Sequence, residues 1–96
     1  WVALLQILRL EGDCNYTHCF FTDGTQLLVA LSLKRLADRL PAGSFIRSHR
    51  KHLINRQYIG AVHAIEYAVT LTNGDRIAIA RRRMTDFLQT YRQSAC

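Results

Sequence analysis

The segment FIRSHRKHLIN, residues 45–55, concentrates positive charge between apolar ends and contains no acidic residue. In one continuous strand, period-2 alternation would place charged and apolar side chains on the same face, although they need different environments. We therefore predict that Phe45, Leu53 and Ile54 anchor both ends of the segment in the core. The backbone between them would loop outward and hold Arg50 and Lys51 in solvent. A short anchored loop suits residues that contact a ligand; the alternative is a solvated loop with ordinary charges.

Positive charge is concentrated in the second half of the chain. The sequence has 96 residues and a net charge of +6. Residues 1–44 carry four basic and four acidic residues, whereas residues 45–96 carry nine basic and three acidic residues. This asymmetry predicts a polyanionic partner, either a nucleic acid or an anionic membrane surface.

The length of the chain is typical of a single domain spanning residues 1–96. Its apolar stretches are far shorter than the roughly 20 residues that cross a bilayer. Three cysteines, Cys14, Cys19 and Cys96, cannot all pair within the chain, which favours a reducing compartment, and we expect a cytoplasmic protein. The chain begins with Trp1 rather than Met, so we expect it to be one part of a longer protein.

The first half of the chain predicts strands and one helix. Residues 2–10 have the composition of a mostly buried strand, and the polar residues 11–15 predict a turn. Asp23-Gly24 lies between two strand-like runs, which predicts a hairpin over residues 16–30 with a type I′ turn. Ser32 is a suitable N-cap for the amphipathic helix LKRLADRL that follows it.

The second half predicts further short strands and a closing helix. The predicted elements are a strand at residues 45–47, a turn at 52–55, a strand at 58–67, strands on either side of the Asn73-Gly74 hairpin turn, and a helix from about Arg82 to Tyr91. The expected architecture is mainly β, with short antiparallel hairpins and two small helices. Glycine-rich nucleotide-binding motifs are absent from the sequence.

Two other segments are candidates for ligand contact. Arg81, Arg82 and Arg83 lie where a strand passes into the last helix, a position at which the helix dipole disfavours cations unless a polyanion offsets the cost. Asn15 and Tyr16 lie in a predicted turn; Asn can pair with adenine, and Tyr can bond phosphate or stack. The alternatives are a solvated helix start and an ordinary surface turn.

An enzymatic or metal-binding role has little support in the sequence. The cysteines and histidines do not follow a recognised zinc spacing, and no paired carboxylates lie near a histidine. His18 and Cys19 point to opposite faces of a regular strand, so they cannot chelate one ion together. We expect no catalytic residue, no metal and no cofactor; whether Cys14 is redox-sensitive stays open.

An RNA-binding module and a module for anionic membranes are two classes of protein that the basic charge would also suit. RNA-binding modules usually present aromatic side chains on an exposed sheet face, whereas the aromatic residues here mostly alternate inward. A module for anionic membranes would need a basic amphipathic helix with aromatic residues opposite the cations. The last helix has few cations beyond its first turn.

Several motifs, taken in order, resemble the LytTR-type DNA-binding domain, the output domain of many bacterial response regulators. The family pattern is an apolar strand, E-x-x-x-N-Y, a hairpin, a helix with L-x-x-L, F-x-R-x-H-R-x-x-L-[IV]-N, an N-G hairpin and a basic ending. The matching residues here are Glu11, Asn15-Tyr16, Leu33, Leu36, Phe45, Arg47, His49, Arg50, Leu53, Ile54, Asn55, Asn73-Gly74, Arg81-Arg82 and Phe87. The match covers nearly the whole chain, and the segment from Phe45 to Asn55 is its most specific part. The chain departs from the pattern at Lys51 and Ala80, where Ser is frequent, and at Arg83, where an aromatic residue is common.

The resemblance implies an elongated stack of small antiparallel sheets whose loops enter successive major grooves of double-stranded DNA. It implies a transcription regulator that binds DNA as a dimer and carries an N-terminal receiver or sensory segment. The implied base contacts are Asn15, Tyr16, Arg50 and Arg82. The implied phosphate contacts are Lys51, Arg81 and Arg83. We expect supporting roles for three residues: Arg47 pairs with or caps nearby carbonyls, and His49 and Asn55 hydrogen-bond the loop backbone.

Overall fold

The computed structural model describes residues 4–93 and shows a mainly β fold with two short helices. The strands are β1 (Ile7–Asp13), β2 (Tyr16–Phe21), β3 (Gln26–Val29), β4 (Phe45–His49), β5 (His52–Asn55), β6 (Ile59–His63), β7 (Ala68–Leu71) and β8 (Arg76–Ala78). The helices are α1 (Leu33–Arg39) and α2 (Met84–Gln93). Shorter 3-10 turns occur at Leu4–Gln6, Arg56–Tyr58 and Arg81–Arg83. The predicted fold class is confirmed.

All strand pairs are antiparallel, and they form two sheets. The larger sheet has the order β3-β2-β1-β5-β4, and the smaller has the order β6-β7-β8. One face of the larger sheet packs on the smaller sheet and α2, through Leu8, Ile46, Ile54, Ile59, Val69, Leu71, Ile77, Ile79 and Phe87. The opposite face packs on α1, through Ile7, Leu10, Cys19, Leu33 and Leu53. The part of the larger sheet formed by β1, β5 and β4 is therefore covered on both faces, whereas edge strand β3 is mostly exposed.

This double covering explains the segment at residues 45–55. The prediction of a turn at residues 52–55 was wrong, because those residues form β5, which lies between β1 and β4. Leu53 faces α1 and Ile54 faces the smaller sheet, so the strand shows a continuous apolar run instead of alternation. Arg50 and Lys51 form the exposed turn between β4 and β5, as predicted.

The predicted bounds of two strands were wrong. Leu4–Gln6 is a 3-10 turn, and β1 continues through the predicted turn to Asp13; residues 2 and 3 lie outside the described part of the chain. The polar residues near Asp13 stay in the strand because β1 pairs there with β2 and β5. The predicted strand at residues 58–67 ends at His63, and the chain then turns to reach Tyr67, whose φ is 52°.

The two glycine hairpins occur where they were predicted, but their geometry differs from a type I′ turn. Within each of these two loops only the glycine has a positive φ, 90° at Gly24 and 95° at Gly74. The Gly24 amide donates to the Phe21 carbonyl (3.1 Å), and the Gly74 amide donates to the Leu71 carbonyl (2.9 Å). These are three-residue loops that end in a glycine bulge, a common hairpin connection.

The two helices follow their predicted patterns closely. Ser32 caps α1, and its Oγ accepts a hydrogen bond from the Arg35 amide (3.3 Å). Leu33 is buried, whereas Lys34, Arg35 and Arg39 are exposed. The last helix is preceded by the 3-10 turn at Arg81–Arg83 and becomes α-helical only from Met84.

Phe87 is the residue of α2 on which the larger core depends. Its side chain is 0% exposed and lies in the cluster formed by both sheets. Phe87→Ala should lower the free energy of unfolding by about 3–5 kcal/mol, because it removes apolar contacts and leaves a cavity. The measurement is urea denaturation; exposed Thr85→Ala on the same helix should change stability by no more than about 0.5 kcal/mol. Equal effects of the two substitutions would contradict this description of the core.

A second prediction concerns His52, which lies in β5 beside Glu11 of β1 and His49 of β4. The His52 Nδ1 atom is 3.7 Å from a Glu11 oxygen, and the two histidine ring centroids are 5.5 Å apart. Burial lowers the pKa of His52, while Glu11 opposes the shift and His49, Arg9 and Lys51 add to it. The unfolded chain, with an ordinary histidine pKa of about 6.5, therefore takes up this proton more readily than the folded protein.

The stability that neutral His52 contributes should be complete above that unfolded pKa and should decline as the pH falls through the lowered folded pKa. Unfolding free energies of the wild type and His52→Gln, measured at about pH 7.5 and about pH 5.5, should show a smaller decline in the variant. The Asp23 carboxyl, whose pKa is lowered by hydrogen bonds from Thr25, titrates below this interval. An identical decline in both proteins would show that His52 does not carry the pH dependence.

Candidate nucleic-acid interface

The topology brings two of the candidate segments to one end of the larger sheet. Cys14 and Asn15 form the turn between β1 and β2, and Arg50 and Lys51 form the turn between β4 and β5. Strands β1 and β5 are neighbours, and the Gly12 amide donates to the Lys51 carbonyl at 2.8 Å. The two turns therefore lie side by side. The Asp23-Gly24 hairpin is at the opposite end of the larger sheet, because β2 runs antiparallel to β1 and away from the β1–β2 turn.

The third candidate segment, the 3-10 turn at Arg81–Arg83, lies beside them because of one backbone contact. The Ala80 amide donates to the carbonyl of buried Ser48 in β4 at 2.7 Å. Arg50 and Arg82 are each two residues from this hydrogen bond, so each Cα lies within about 7 Å of a bonded residue. The structure thus brings Arg50 and Arg82 to the same end of the molecule.

Side chains within β4 hold the backbone of the β4–β5 turn. The Arg47 guanidinium donates through Nε to the His49 carbonyl (3.0 Å) and through Nη2 to the Arg50 carbonyl (2.5 Å). His49 Nδ1 accepts a hydrogen bond from the Lys51 amide (3.2 Å). Burial, and secondly the nearby Arg83 charge, lower the pKa of Arg47. The turn backbone is fixed from inside, and in residues 4–93 neither Arg50 nor Lys51 forms an ion pair.

Asn55 lies at the other end of the same hairpin. Its Nδ2 donates to the Ile7 carbonyl (2.8 Å) and the Leu4 carbonyl (3.2 Å), and its Oδ1 accepts from the Gln57 amide (3.0 Å). We expected Asn55 to hydrogen-bond the backbone of the contact loop. It instead joins the base of the hairpin to the first residues of the described chain.

The β1–β2 turn presents two exposed side chains. Asn15 and Tyr16 are exposed, with Tyr16 at 50%. Cys14, the first residue of the turn, has a φ of 55°, a strained conformation for a residue with a Cβ atom. Its thiol is free and exposed, whereas burial raises the pKa of Cys19.

The three arginines at residues 81–83 have different surroundings. The Arg81 guanidinium lies 5.1 Å from the centre of the Tyr67 ring, a cation–π contact. Arg82 is exposed, and Arg83 is half-buried beside Arg47. Sequence reasoning missed Tyr67, because it was included in a predicted strand and no short motif marks it.

The described residues offer little support for metal binding or for a membrane-spanning helix. Among residues 4–93, no three His, Cys, Asp or Glu side chains are grouped so that they could hold a metal ion. In the same range, neither helix is long and apolar enough to cross a membrane. The exposed side chains of the three candidate segments carry guanidinium, ammonium, amide and phenol groups, with the Cys14 thiol and the Asp13 carboxylate beside them. The first four of these groups bind phosphates and base edges.

Comparison with known proteins gives one consistent family. The model of the LytTr DNA-binding domain matches residues 1–92. Two curated relatives from Paraburkholderia xenovorans strain LB400 are the heme-containing CO-sensing transcriptional regulators RcoM 1, 31% identical over 84 residues, and RcoM 2, 29% identical over 86 residues. The matches cover 83% and 85% of this chain but 31% and 32% of those proteins, so the chain spans about a third of their length.

A solved structure of a LytTr DNA-binding domain from Bacillus cereus has the same fold. The TM-score is 0.84 with 23% sequence identity, and the similarity covers 93% of this chain and 84% of that one. Because the family model matches all but the last few residues, this chain belongs to the LytTR family of DNA-binding domains.

Proposed function

We propose that this DNA-binding domain recognises specific sequences in double-stranded DNA for a transcription regulator, with its turns entering successive major grooves at repeated half-sites. The observation that carries the proposal is the hydrogen bond between Ser48 and Ala80, which holds the Arg82 segment beside the Arg50 segment. A single duplex can then meet both arginines. The excess of basic over acidic residues in the second half of the chain supports the same assignment.

Four residues are assigned to bases. Arg50 and Arg82 suit guanine, because the planar guanidinium donates two parallel hydrogen bonds to O6 and N7. Asn15 suits adenine, and Tyr16 beside it bonds or stacks. The exposure of all four side chains supports this set.

Phosphate contacts are assigned to the neighbouring cations. Lys51 is a compact charge without a bidentate fork, so it suits phosphate better than a base edge. Arg81 and Arg83 flank Arg82 and would contact DNA phosphates on either side of the base that Arg82 binds. Arg47 and His49 act by fixing the turn, which the hydrogen bonds to the His49 and Arg50 carbonyls and from the Lys51 amide support.

The longer protein is proposed to place a receiver or sensory segment before this domain and to bind DNA as a pair of copies. The curated relatives are named as CO-sensing transcriptional regulators about three times longer than their match to this chain, which supports a sensory segment. One domain of this size has a small footprint on DNA, and two copies on repeated half-sites would extend it.

Selection of duplexes from a random pool by this protein tests the proposal. We expect enrichment of a motif that occurs twice at a spacing set by the helical repeat, about 10–10.5 base pairs per turn. The selected duplex should bind two copies, as measured by analytical ultracentrifugation. Absence of enrichment, together with tighter binding to single-stranded RNA or to anionic vesicles, would replace DNA recognition by one of those alternatives.

Arg50 and Lys51 are adjacent and exposed, so each is a matched control for the other. Arg50→Ala should relax specificity at one base position, with a loss of about 1–3 kcal/mol of discrimination there. Lys51→Ala should weaken binding to all duplexes alike and reduce the slope of log K against log salt by about one. Binding titrations on single-base variants of the selected duplex at several salt concentrations measure both effects. Indistinguishable behaviour of the two variants would remove the assignment.

A further inference from the structure

We propose that Lys34, at the start of α1, is a DNA phosphate contact, and that the groove beside it receives one strand of the duplex backbone. The family motifs discussed above do not include this residue. The inference rests on the proposed function and adds a contact to it from an element that was assigned only a packing role.

The groove lies between the β1–β2 turn, the start of α1 and the β4–β5 turn, and its volume is about 510 Å³. Four cationic side chains line it, and none of its described lining residues is acidic; the cations are Lys34, Arg47, Arg50 and Lys51. A concave surface with one sign of charge concentrates the electrostatic potential. A polyanion that reaches Arg50 and Lys51 therefore passes next to Lys34.

The backbone at Lys34 is held rigidly against the sheet. Gly12 permits this packing, since a Cβ atom at that position would lie only 3.0 Å from the Leu33 Cβ. The Thr17 hydroxyl donates to the Leu31 carbonyl at 2.8 Å, and Ser32 caps the helix. Because Gly12 and Thr17 lie on either side of the β1–β2 turn, the start of α1 is fixed beside a proposed contact turn.

Lys34 is distinguished from the other cations of α1 by its position. All three cations of the helix are exposed, but only Lys34 lines the groove. Arg39 is five residues further along, about 7.5 Å along the helix axis and on a different side. In the described part of the chain Lys34 forms no ion pair, so its ammonium is available to an external anion.

The expected contribution of Lys34 is electrostatic and independent of sequence. Neutralising one phosphate of B-DNA adds about 0.9 to the salt slope of binding through counterion release. Loss of that contact therefore has a specific signature. The wild type should bind DNA more tightly than Lys34→Ala. The ratio of the two affinities should shrink by roughly threefold between 50 mM and 200 mM salt.

The test uses a mixed-sequence duplex of three helical turns, about 31 base pairs, because a phosphate contact needs no particular sequence. Binding of the wild type, Lys34→Ala, Lys34→Arg and Arg39→Ala is measured over a range of salt concentrations. We expect a smaller slope for Lys34→Ala, a slope close to wild type for Lys34→Arg, and little change for Arg39→Ala. Circular dichroism melting checks that all four proteins fold; the substituted side chains are exposed, and alanine favours helix.

Two outcomes overturn the inference. If Lys34→Ala and Arg39→Ala reduce the slope equally, Lys34 contributes only general charge rather than a contact in the groove. If the wild type binds the duplex and Lys34→Ala retains its full slope, Lys34 does not touch a phosphate, while the proposed function stands. A wild type that fails to bind any duplex at low salt overturns the proposed function as well, so the two failures are distinguishable.

Discussion

One backbone hydrogen bond, from the Ala80 amide to the Ser48 carbonyl, determines the arrangement of the basic end of the molecule. Ser48 belongs to an edge strand of the larger sheet, and Ala80 follows the last strand of the smaller one. This link joins the segment that leads to the arginines at residues 81–83 to the strand that leads into the β4–β5 turn. The packing of Ile46, Ile79 and Phe87 in one core keeps the two layers together and so maintains the bond.

The basic end of the molecule also contains a charge that is costly to bury, the Arg47 guanidinium. Arg47 is partly buried and lies near Arg83, and both burial and this like charge lower its pKa. Its hydrogen bonds to two carbonyls of the β4–β5 turn compensate for some of this cost, since a carbonyl is a good partner for a guanidinium. A rigid turn loses little conformational entropy on binding. Less of the favourable free energy of its contacts is therefore offset.

The sequence predicted the family, the fold class, the two helices, both glycine hairpins and the exposed Arg50-Lys51 turn. Residues 52–55 could not be recognised as a strand, because Leu53 and Ile54 are buried on opposite faces and the alternation expected of a half-buried strand is lost. The end of β6 at His63 was missed because no glycine or proline marks it. Contacts between residues distant in sequence, such as Arg81 on Tyr67, have no local signal at all.

Asn55 gives the β4–β5 hairpin a second point of attachment, far from its tip. Its side-chain amide donates hydrogen bonds to the carbonyls of Leu4 and Ile7, at the start of the described chain. Strand β5 extends over about 13 Å between this attachment and the exposed turn. One short strand thus separates the backbone at Leu4 and Ile7 from the turn that carries Arg50 and Lys51.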